Sequence, residues 1–328
     1  GGARAVHRPL RFDSARVGAA ASPCPAAVSA STPAMPVSAV RVNLALVAVQ
    51  VAFGTLPVAG KLAMTSVGPF ALSLVRMVGG AAVLGAMALR SRGEAPIPLV
   101  DVLKIAGCGL LGVAGNQVLF LVGLERTSAA NAAVLVTTIP VFTFAAAALL
   151  GQERFDRRGG LGLALALGGV LAVVPLEEVR VSAASLIGDA LIVVNSLCYA
   201  LFMVLVRPLI GRHGSRRVIA IAFAASVLAV APFGATELGP SVAALDRASG
   251  LALLYVVLVP TILTYMLNTW ALGHARASTV AIFIYLQPLV GLVLAATVLH
   301  EPLAARMLGG AAALLAGVAL VPNRRRAA

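Results

Sequence analysis

The chain has 328 residues, of which 60% are hydrophobic and only 11% are charged. Its mean hydropathy is +0.99. In an ordinary soluble domain about 25% of residues are charged, so the low charged fraction and the high hydropathy together exclude that class. The formal net charge of +13 alone would suit nucleic-acid binding, but the placement of the basic residues argues against that. These properties predict a membrane protein.

Apolar stretches of spanning length fill the chain after residue 41. A helix needs about 20 mostly apolar residues to cross about 30 Å of hydrocarbon. By this criterion we predict ten spans at residues 42–64, 70–89, 102–124, 128–150, 159–176, 186–206, 218–233, 251–273, 278–299 and 304–321. The predicted fold class is an all-α polytopic membrane protein with ten transmembrane helices and no soluble domain.

The stretches repeat one five-helix pattern twice. Matching residues recur 148 positions apart, namely Pro140 and Pro288, Glu153 and Glu301, and Gly169 and Gly317 (288 − 140 = 148). Near the first and sixth spans the sequence offset is 146 residues, which matches Phe53 with Tyr199 and Lys61 with Arg207 (207 − 61 = 146). Because each half has an odd number of spans, the halves must insert in opposite orientations. This predicts two inverted repeats, residues 42–176 and 186–321, a construction that secondary transporters use.

Basic residues are concentrated in alternate connections. With a cytoplasmic N-terminus, the outer side receives only Lys61, Arg126, Arg180, Arg247 and Arg306, and the inner side receives twelve other positions and the Arg324-Arg325-Arg326 run. This is the asymmetry that orients membrane proteins. It predicts that both termini are cytoplasmic, and it explains the basic excess without a nucleic-acid partner.

Two terminal segments lie outside the predicted repeats. Residues 1–41 are rich in Ala, Ser, Pro and Arg, and are predicted to be a disordered tail. This tail is either a transit peptide, which is Arg- and Ser-rich and poor in acids, or the product of an over-extended reading frame whose true start is Met35. Residues 322–328 are predicted to be a basic cytoplasmic tail.

Cysteine and histidine positions give no sign of a reactive centre. Cys24, Cys108 and Cys198 lack disulfide or metal-ligand spacing. The four histidines lie in the tail or near span ends. We therefore expect no cofactor, no metal site and no enzymatic activity.

The segments around the paired prolines carry a family likeness. The first copy runs from Thr127-Ser128-Ala129-Ala130-Asn131 to Pro140 and Gly151-Gln152-Glu153, and the second from Ala277-Ser278-Thr279-Val280-Ala281 to Pro288 and His300-Glu301-Pro302. Together with ten spans, they resemble the drug/metabolite transporter superfamily, specifically the EamA-type permeases. The resemblance covers almost all of residues 42–321.

The resemblance implies a permease of the bacterial inner membrane that exports amino acids or other small metabolites. It also implies a central cavity bordered by spans one, three, four, six, eight and nine. The chain departs from the family in two places. Phe53-Gly54 stands where members often have Trp-Gly, and the seventh span has no Arg that matches Arg76.

Charged residues inside or beside the spans are candidate site residues, because a charge in the bilayer core needs a partner or a water-filled cavity. Arg76 either binds a substrate carboxylate, whose geometry a guanidinium matches, or it holds helix-terminal carbonyls or snorkels outward. Lys61 is either an interfacial anchor or a substrate ligand. Asp189 either pairs with Lys61 or faces water.

Neutral polar residues are dense on the spans that border the implied cavity. With Arg76, the predicted substrate-binding set is Gln50, Asn116, Gln117, Asn131, Asn195, Tyr199, Tyr265, Asn268, Tyr285 and Gln287. Each of them could instead join helices by hydrogen bonds. As a set, these polar side chains are more numerous than hydrogen bonding between packed helices requires, which favours a substrate path.

The paired prolines and glutamates have two interpretations each. Pro140 and Pro288 are predicted to kink their helices, either as gating hinges or as static bends. Glu153 and Glu301 are predicted to bind backbone donors at a helix start, with proton coupling as the alternative. No carboxylate is placed near mid-membrane, so a proton relay has no candidate.

These observations favour a secondary transporter that exports small metabolites through a cavity between two inverted repeats. One alternative is an organellar exchanger of sugar phosphates or nucleotide sugars, which would need several basic residues inside the membrane. A second alternative is a non-transporting membrane scaffold. The expected partners are the lipid bilayer and a small-molecule substrate, and the pattern leaves open whether the protein is a homodimer.

Overall fold

The computed structural model describes residues 1–2, 38–90, 95–153, 157–173, 183–290, 293 and 305–320. Within these ranges the chain forms helices joined by short connections, with no β-strand. The all-helical fold class is therefore confirmed for this part of the chain. Nearly all of the predicted N-terminal tail and the whole C-terminal tail lie outside the described residues.

The α-helices follow each other with few long connections. Those of the first half are α1 (Ala39–Gly54), α2 (Leu56–Ala63), α3 (Pro69–Leu89), α4 (Leu99–Gly109), α5 (Asn116–Arg126), α6 (Ala129–Leu135), α7 (Ile139–Leu149) and α8 (Arg157–Val173). Those of the second half are α9 (Ala183–His213), α10 (Ser215–Ala243), α11 (Arg247–Val257), α12 (Thr264–His274), α13 (Ala277–Ile282) and α14 (Ala305–Leu320).

Four helical junctions depart from α-helical geometry, in two matched pairs. A π-helical segment, Leu110–Gly115, joins α4 to α5, and another, Leu258–Leu263, joins α11 to α12 (258 − 110 = 148). The 3₁₀ segment Val136–Thr138 joins α6 to α7, and Phe283–Leu286 follows α13. Hydropathy carries no information on hydrogen-bond register, so the sequence analysis did not predict these segments. Short π segments are frequent at functional sites.

The described helices suit a multi-pass membrane protein. Seven stretches are long and apolar enough to cross a membrane, judged by length and composition: Ala39–Ala63, Pro69–Leu89, Leu99–Arg126, Asn131–Leu149, Ser185–His213, Ser215–Ala243 and Arg247–Leu272. The shorter apolar helices Ala277–Val290 and Leu308–Leu320 fall on the predicted ninth and tenth spans. Helix α8, with 17 residues, falls on the fifth. The count of ten spans stays a prediction, since parts of the fifth and ninth lie outside the described residues.

Two span boundaries differ from the prediction. The first span is divided at Thr55, because Pro57, the second residue of α2, cannot donate a main-chain hydrogen bond. The seventh span was predicted over residues 218–233, whereas α10 extends from Ser215 to Ala243. Its additional turns carry Glu237, whose carboxylate accepts hydrogen bonds from main-chain N–H groups at the start of α3.

Helices α8 and α14 approach each other backbone to backbone. A Cβ atom on Gly169 would lie 2.6 Å from the carbonyl oxygen of Gly310, and one on Gly317 would lie 2.5 Å from the main-chain nitrogen of Ala166. Such distances admit only glycine, and close approach through glycine is usual between membrane helices. The two glycines are the pair that the sequence offset matched, so both copies use the same face.

Candidate functional site

Arg76 lies in the middle of α3 and is buried, with 1% of its surface exposed. Its Nε donates to Thr261 Oγ1 at 2.8 Å, and Thr261 Oγ1 in turn donates to the carbonyl oxygen of Val256 at 2.8 Å. Its Nη1 has no hydrogen-bond partner among the described residues. The side chain therefore does not snorkel outward, and part of its donor capacity is unused inside the protein.

Tyr265 of α12 lies four residues after Thr261, the partner of Arg76, and its hydroxyl reaches the first π-helical segment. Its hydroxyl oxygen is 2.8 Å from the carbonyl oxygen of Gly112 and 3.2 Å from Asn116 Oδ1. The Gly112 carbonyl is accessible because the main-chain N–H of Asn116 bonds to Leu111 and Val113 instead. The π-helical register thus supplies an acceptor that a regular α-helix would have used internally.

Gln117 is the second buried side chain with unused hydrogen-bonding atoms. It adjoins the Tyr265 hydroxyl, but neither Nε2 nor Oε1 has the distance and angle of a hydrogen bond to any described residue. An unpaired amide in an apolar interior is costly. Arg76, Gln117 and Tyr265, which we call the Arg76 cluster, therefore combine free donors and a free acceptor.

A second buried group connects α9 to α5 and α12. Asn195 Nδ2 donates to the carbonyl oxygen of Asn116 at 2.5 Å, and Asn268 Nδ2 donates to Tyr199 Oη at 2.9 Å. The ring of Phe53 in α1 makes edge contacts with Tyr199 and with Tyr265, at centroid distances of 6.5 Å and 6.4 Å. Polar and aromatic groups from both halves therefore meet here.

A third group joins α1 to the middle of the ninth predicted span. Gln287 Nε2 donates to Gln50 Oε1 at 2.8 Å across 237 residues of sequence. Nearby in sequence, the Tyr285 hydroxyl is buried and has no hydrogen-bond partner among the described residues. Both Gln50 and Gln287 were predicted as substrate ligands, and in this conformation they bind each other.

Asn131 lies apart from these groups in its hydrogen bonding. Its Nδ2 donates to the Asp189 carboxylate at 3.2 and 3.3 Å, at the start of α6. Thr127 also donates to Asp189, at 2.6 Å, and Lys61 Nζ donates to the Thr127 carbonyl at 3.0 Å. The expectation that Asp189 pairs directly with Lys61 or only faces water is therefore wrong, because two neutral donors bind this half-buried carboxylate. A substrate role for Asn131 stays a prediction.

Two carboxylates bind helix starts in the opposite half of the chain. Glu153, after α7, accepts hydrogen bonds from the main-chain N–H and the hydroxyl of Ser278 in α13. Glu237 of α10 accepts from the main-chain N–H groups of Phe70 and Ala71 in α3, at 2.9 and 3.0 Å. The structural interpretation of Glu153 fits this contact, and Glu301 lies outside the described residues. Sequence analysis did not single out Glu237, although a lone acid near the end of an apolar span is a detectable signal.

Pro140 and Pro288 are buried and follow the two 3₁₀ segments. Pro140 is the second residue of α7, so the helix is interrupted just before it. The hydroxyls of Thr137 and Thr138 bind the carbonyls of Val134 and Leu135 at this junction. The two helices are thus locally irregular at matching places, and a gating role for the prolines stays a prediction.

The described residues contain no group of three or more His, Cys, Asp or Glu side chains placed to hold a metal ion. Cys108 and Cys198 are free thiols. For recognition, this part of the chain offers hydrogen-bonding side chains, the charge of Arg76 and aromatic faces. Thr261, which fixes Arg76, was missed because a single threonine in an apolar span carries no distinctive signal.

Comparison with known proteins gives two matches within the one chain. Residues 40–174 and residues 186–322 each match the model of the EamA-like transporter family. The boundaries are close to those of the two predicted repeats. Two copies together span most of the sequence.

Individual relatives and a solved structure extend this result. The chain is 25% identical over 242 residues to an uncharacterized transporter of Archaeoglobus fulgidus, covering 74% of this chain and 83% of the relative. It is 27% identical over 230 residues to a "probable amino-acid metabolite efflux pump" of Salmonella typhimurium, covering 67% and 77%. A crystal structure with 18% identity superposes with a TM-score of 0.69 and covers 86% of this chain and 97% of the other. At that identity the likeness shows the fold alone.

Proposed function

Because the chain belongs to the EamA-like transporter family, we propose that it is a secondary transporter that exports small metabolites across the cytoplasmic membrane. The proposed substrates are amino acids or related amphipathic compounds. The Salmonella relative named as an amino-acid metabolite efflux pump supports this class. The proposed path is a central cavity between two inverted five-helix repeats.

The buried guanidinium of Arg76 is the observation that carries the proposal. A charge held inside a membrane protein normally marks a substrate or ion path. Arg76 is fixed through Nε by Thr261 and keeps Nη1 free. A fixed guanidinium with a free Nη1 suits a carboxylate, whose oxygens accept charge-assisted hydrogen bonds from it.

The surrounding groups fit the rest of an amphipathic molecule. Gln117 offers a free amide donor and acceptor, which suits an ammonium or hydroxyl group. Phe53, Tyr199 and Tyr265 present aromatic faces and edges near the same helices, which suit an apolar side chain. We propose that the hydrogen-bonded pairs Gln50–Gln287 and Tyr199–Asn268 separate when the cavity opens to one side.

The alternative is a carrier of phosphorylated sugars or nucleotide sugars. A dianionic phosphate would favour several cations, and Arg76 is the one buried Lys or Arg side chain in the described part of the chain. A single cation matches the single charge of a carboxylate better. The sugar-phosphate exchanger therefore remains the second candidate.

The test is a comparison of metabolites in the medium of bacterial cells. Three strains are compared: cells expressing the chain, cells with an empty vector, and cells expressing Arg76→Gln at matched membrane abundance. We expect one or more amino acids or related zwitterions to accumulate outside only with the unchanged chain. Accumulation of phosphorylated sugars would favour the second candidate, and identical media in all three strains would contradict export.

A further inference from the structure

The strongest unexplained feature of the molecule is the uncompensated charge of Arg76. Five of the six carboxylates of the described residues are engaged elsewhere: Asp101 with His213, Asp189 with Thr127 and Asn131, Glu153 with Ser278, Glu237 with Phe70 and Ala71, and Asp246 with Ser249. The sixth, Glu125, is exposed at the end of α5. In the described part of the chain, none of them forms a salt bridge with Arg76. A guanidinium remains charged in proteins, and an unpaired buried charge is strongly destabilising.

Arg76 on α3 and Gln117 on α5, two helices that pack against each other, each carry a buried donor without a partner among the described residues. Tyr265 links the two places, because it lies four residues after Thr261, the partner of Arg76, and its hydroxyl lies 3.2 Å from Oδ1 of Asn116, the residue before Gln117. The Tyr265 hydroxyl is directed to the Gly112 carbonyl and Asn116, so its proton does not compete for the same ligand. Because Arg76, Gln117 and Tyr265 are each only 1% exposed, the ligand of this closed conformation must be small.

We propose that Arg76 Nη1 and Gln117 Nε2 bind an inorganic monovalent anion, with chloride as the physiological example, when no substrate is present. The anion neutralises Arg76 in the substrate-free protein. An incoming substrate carboxylate occupies the same donors and displaces the anion. This step rests on the proposed function only for the competing carboxylate; the anion site itself is inferred from the buried donors of Arg76 and Gln117 that have no partner among the described residues.

The proposal has a consequence for the transport cycle. A carrier that changes conformation with Arg76 unpaired must hold a bare charge in its closed state, which is costly. A bound anion removes that cost, so the return of the empty carrier should depend on the anion present. Substrate export should therefore be faster with a permeant small anion on the side where substrate leaves.

Binding is tested by thermal unfolding of the purified full-length chain in detergent. The single tryptophan of the chain, Trp270, lies in α12 with Tyr265 and serves as the fluorescent reporter. Melting is compared in sodium chloride, sodium bromide and sodium gluconate at equal ionic strength. We expect the halides to raise the melting temperature by about 3 °C over gluconate when the halide is about ten times its dissociation constant.

Two variants separate the site from a general salt effect. Arg76→Gln should abolish the difference between chloride and gluconate. Lys61→Gln removes one positive charge from an exposed side chain at the end of α2 and should retain the full difference. If Arg76→Gln does not fold, the unchanged chain and Arg76→Lys decide the matter, since a weaker but measurable halide effect is expected from the lysine.

Equal melting of the unchanged chain in chloride and gluconate would overturn the proposal and would mean that water satisfies Arg76 Nη1. A halide effect that persists undiminished in Arg76→Gln would overturn it as well. Both outcomes are independent of substrate. A halide effect without amino-acid transport would instead contradict the proposed function and leave the anion site standing.

Discussion

Lys61 and Arg207 make the same contact in the two halves of the chain. Lys61 Nζ donates to the carbonyl oxygen of Thr127 at 3.0 Å, and Arg207 Nε donates to the carbonyl oxygen of Ala275 at 2.9 Å. The two cations are 146 residues apart and the two carbonyls 148 (207 − 61 = 146; 275 − 127 = 148). In each half, a cation on the first span thus binds the connection that precedes the fourth span.

The first prediction concerns Arg76 and the proposed substrate. Arg76→Lys should reduce transport about tenfold or more, because a point charge loses the bidentate fit to a carboxylate. Arg76→Gln should abolish transport while the protein remains folded and inserted. Transport of a candidate amino acid into proteoliposomes, expressed per folded molecule, is the measurement.

A purely structural Arg76 predicts a different pattern for these variants. Both substitutions would then lower membrane abundance in proportion to activity, with the specific activity unchanged. Unchanged specific activity in Arg76→Gln would remove Arg76 from the substrate site.

The second prediction concerns the close contact of α8 and α14. Gly169→Ala places a methyl group 2.6 Å from the main-chain oxygen of Gly310, and neither backbone can move without disturbing its helix. We expect a loss of about 1–3 kcal/mol in stability. Gly168→Ala is the matched control, because a Cβ atom there meets nothing within 4 Å. Melting temperatures of the two purified variants are compared, and equal values would contradict the contact.

The third prediction concerns the buried pair Tyr199 and Asn268. Tyr199→Phe leaves the Asn268 amide without its acceptor in a buried position, which should cost about 1–3 kcal/mol. Tyr255→Phe is the control, since its hydroxyl bonds to Thr55 at 2.7 Å in an exposed setting and should cost less than about 1 kcal/mol. Thermal unfolding of both variants tests this order, and a larger loss in Tyr255→Phe would reverse it.

The fourth prediction concerns the carboxylate that holds the start of α13. Glu153→Gln replaces one acceptor oxygen by an amide that cannot accept from Ser278. Because Glu153 is half-buried, we expect a loss of about 1 kcal/mol. Glu125→Gln, at an exposed position in α5, removes the same charge and should leave the melting temperature unchanged. A similar shift in both variants would show that net charge, not the contact, is responsible.

The fifth prediction concerns orientation in the membrane. The Lys and Arg asymmetry predicts that both termini are cytoplasmic. A reporter that is active only in the cytoplasm, fused to Ala328, should be active in bacterial cells. A signal from a reporter that is active only outside the cytoplasm would contradict the predicted topology.

Sequence reasoning reached the large-scale features because they rest on many residues. Hydropathy identified the helices, and the 148-residue offset paired Gly169 with Gly317, which the structure places in equivalent contacts between α8 and α14. Contacts between single residues that are far apart in the sequence could not be predicted. No local pattern reveals that Thr261 fixes Arg76, or that Asp189 is bound by Thr127.

The π-helical segments were missed for a related reason. The shift of one hydrogen bond at Gly112 leaves composition and periodicity unchanged, yet it exposes the carbonyl that receives Tyr265. The polar residues of the site were found because polarity in a span is conspicuous. Their division into a free group around Arg76 and paired groups elsewhere depends on three-dimensional packing alone.

The carboxylates Glu153 and Glu237 have a consequence for how the two halves depend on each other. Glu153 belongs to the first half and completes the start of α13 in the second, whereas Glu237 belongs to the second half and completes the start of α3 in the first. Each half thus lacks, on its own, an acceptor for its own helix start. Either half expressed by itself would therefore leave one helix start without its carboxylate, so we expect the two halves to fold as one cooperative unit rather than as separable modules.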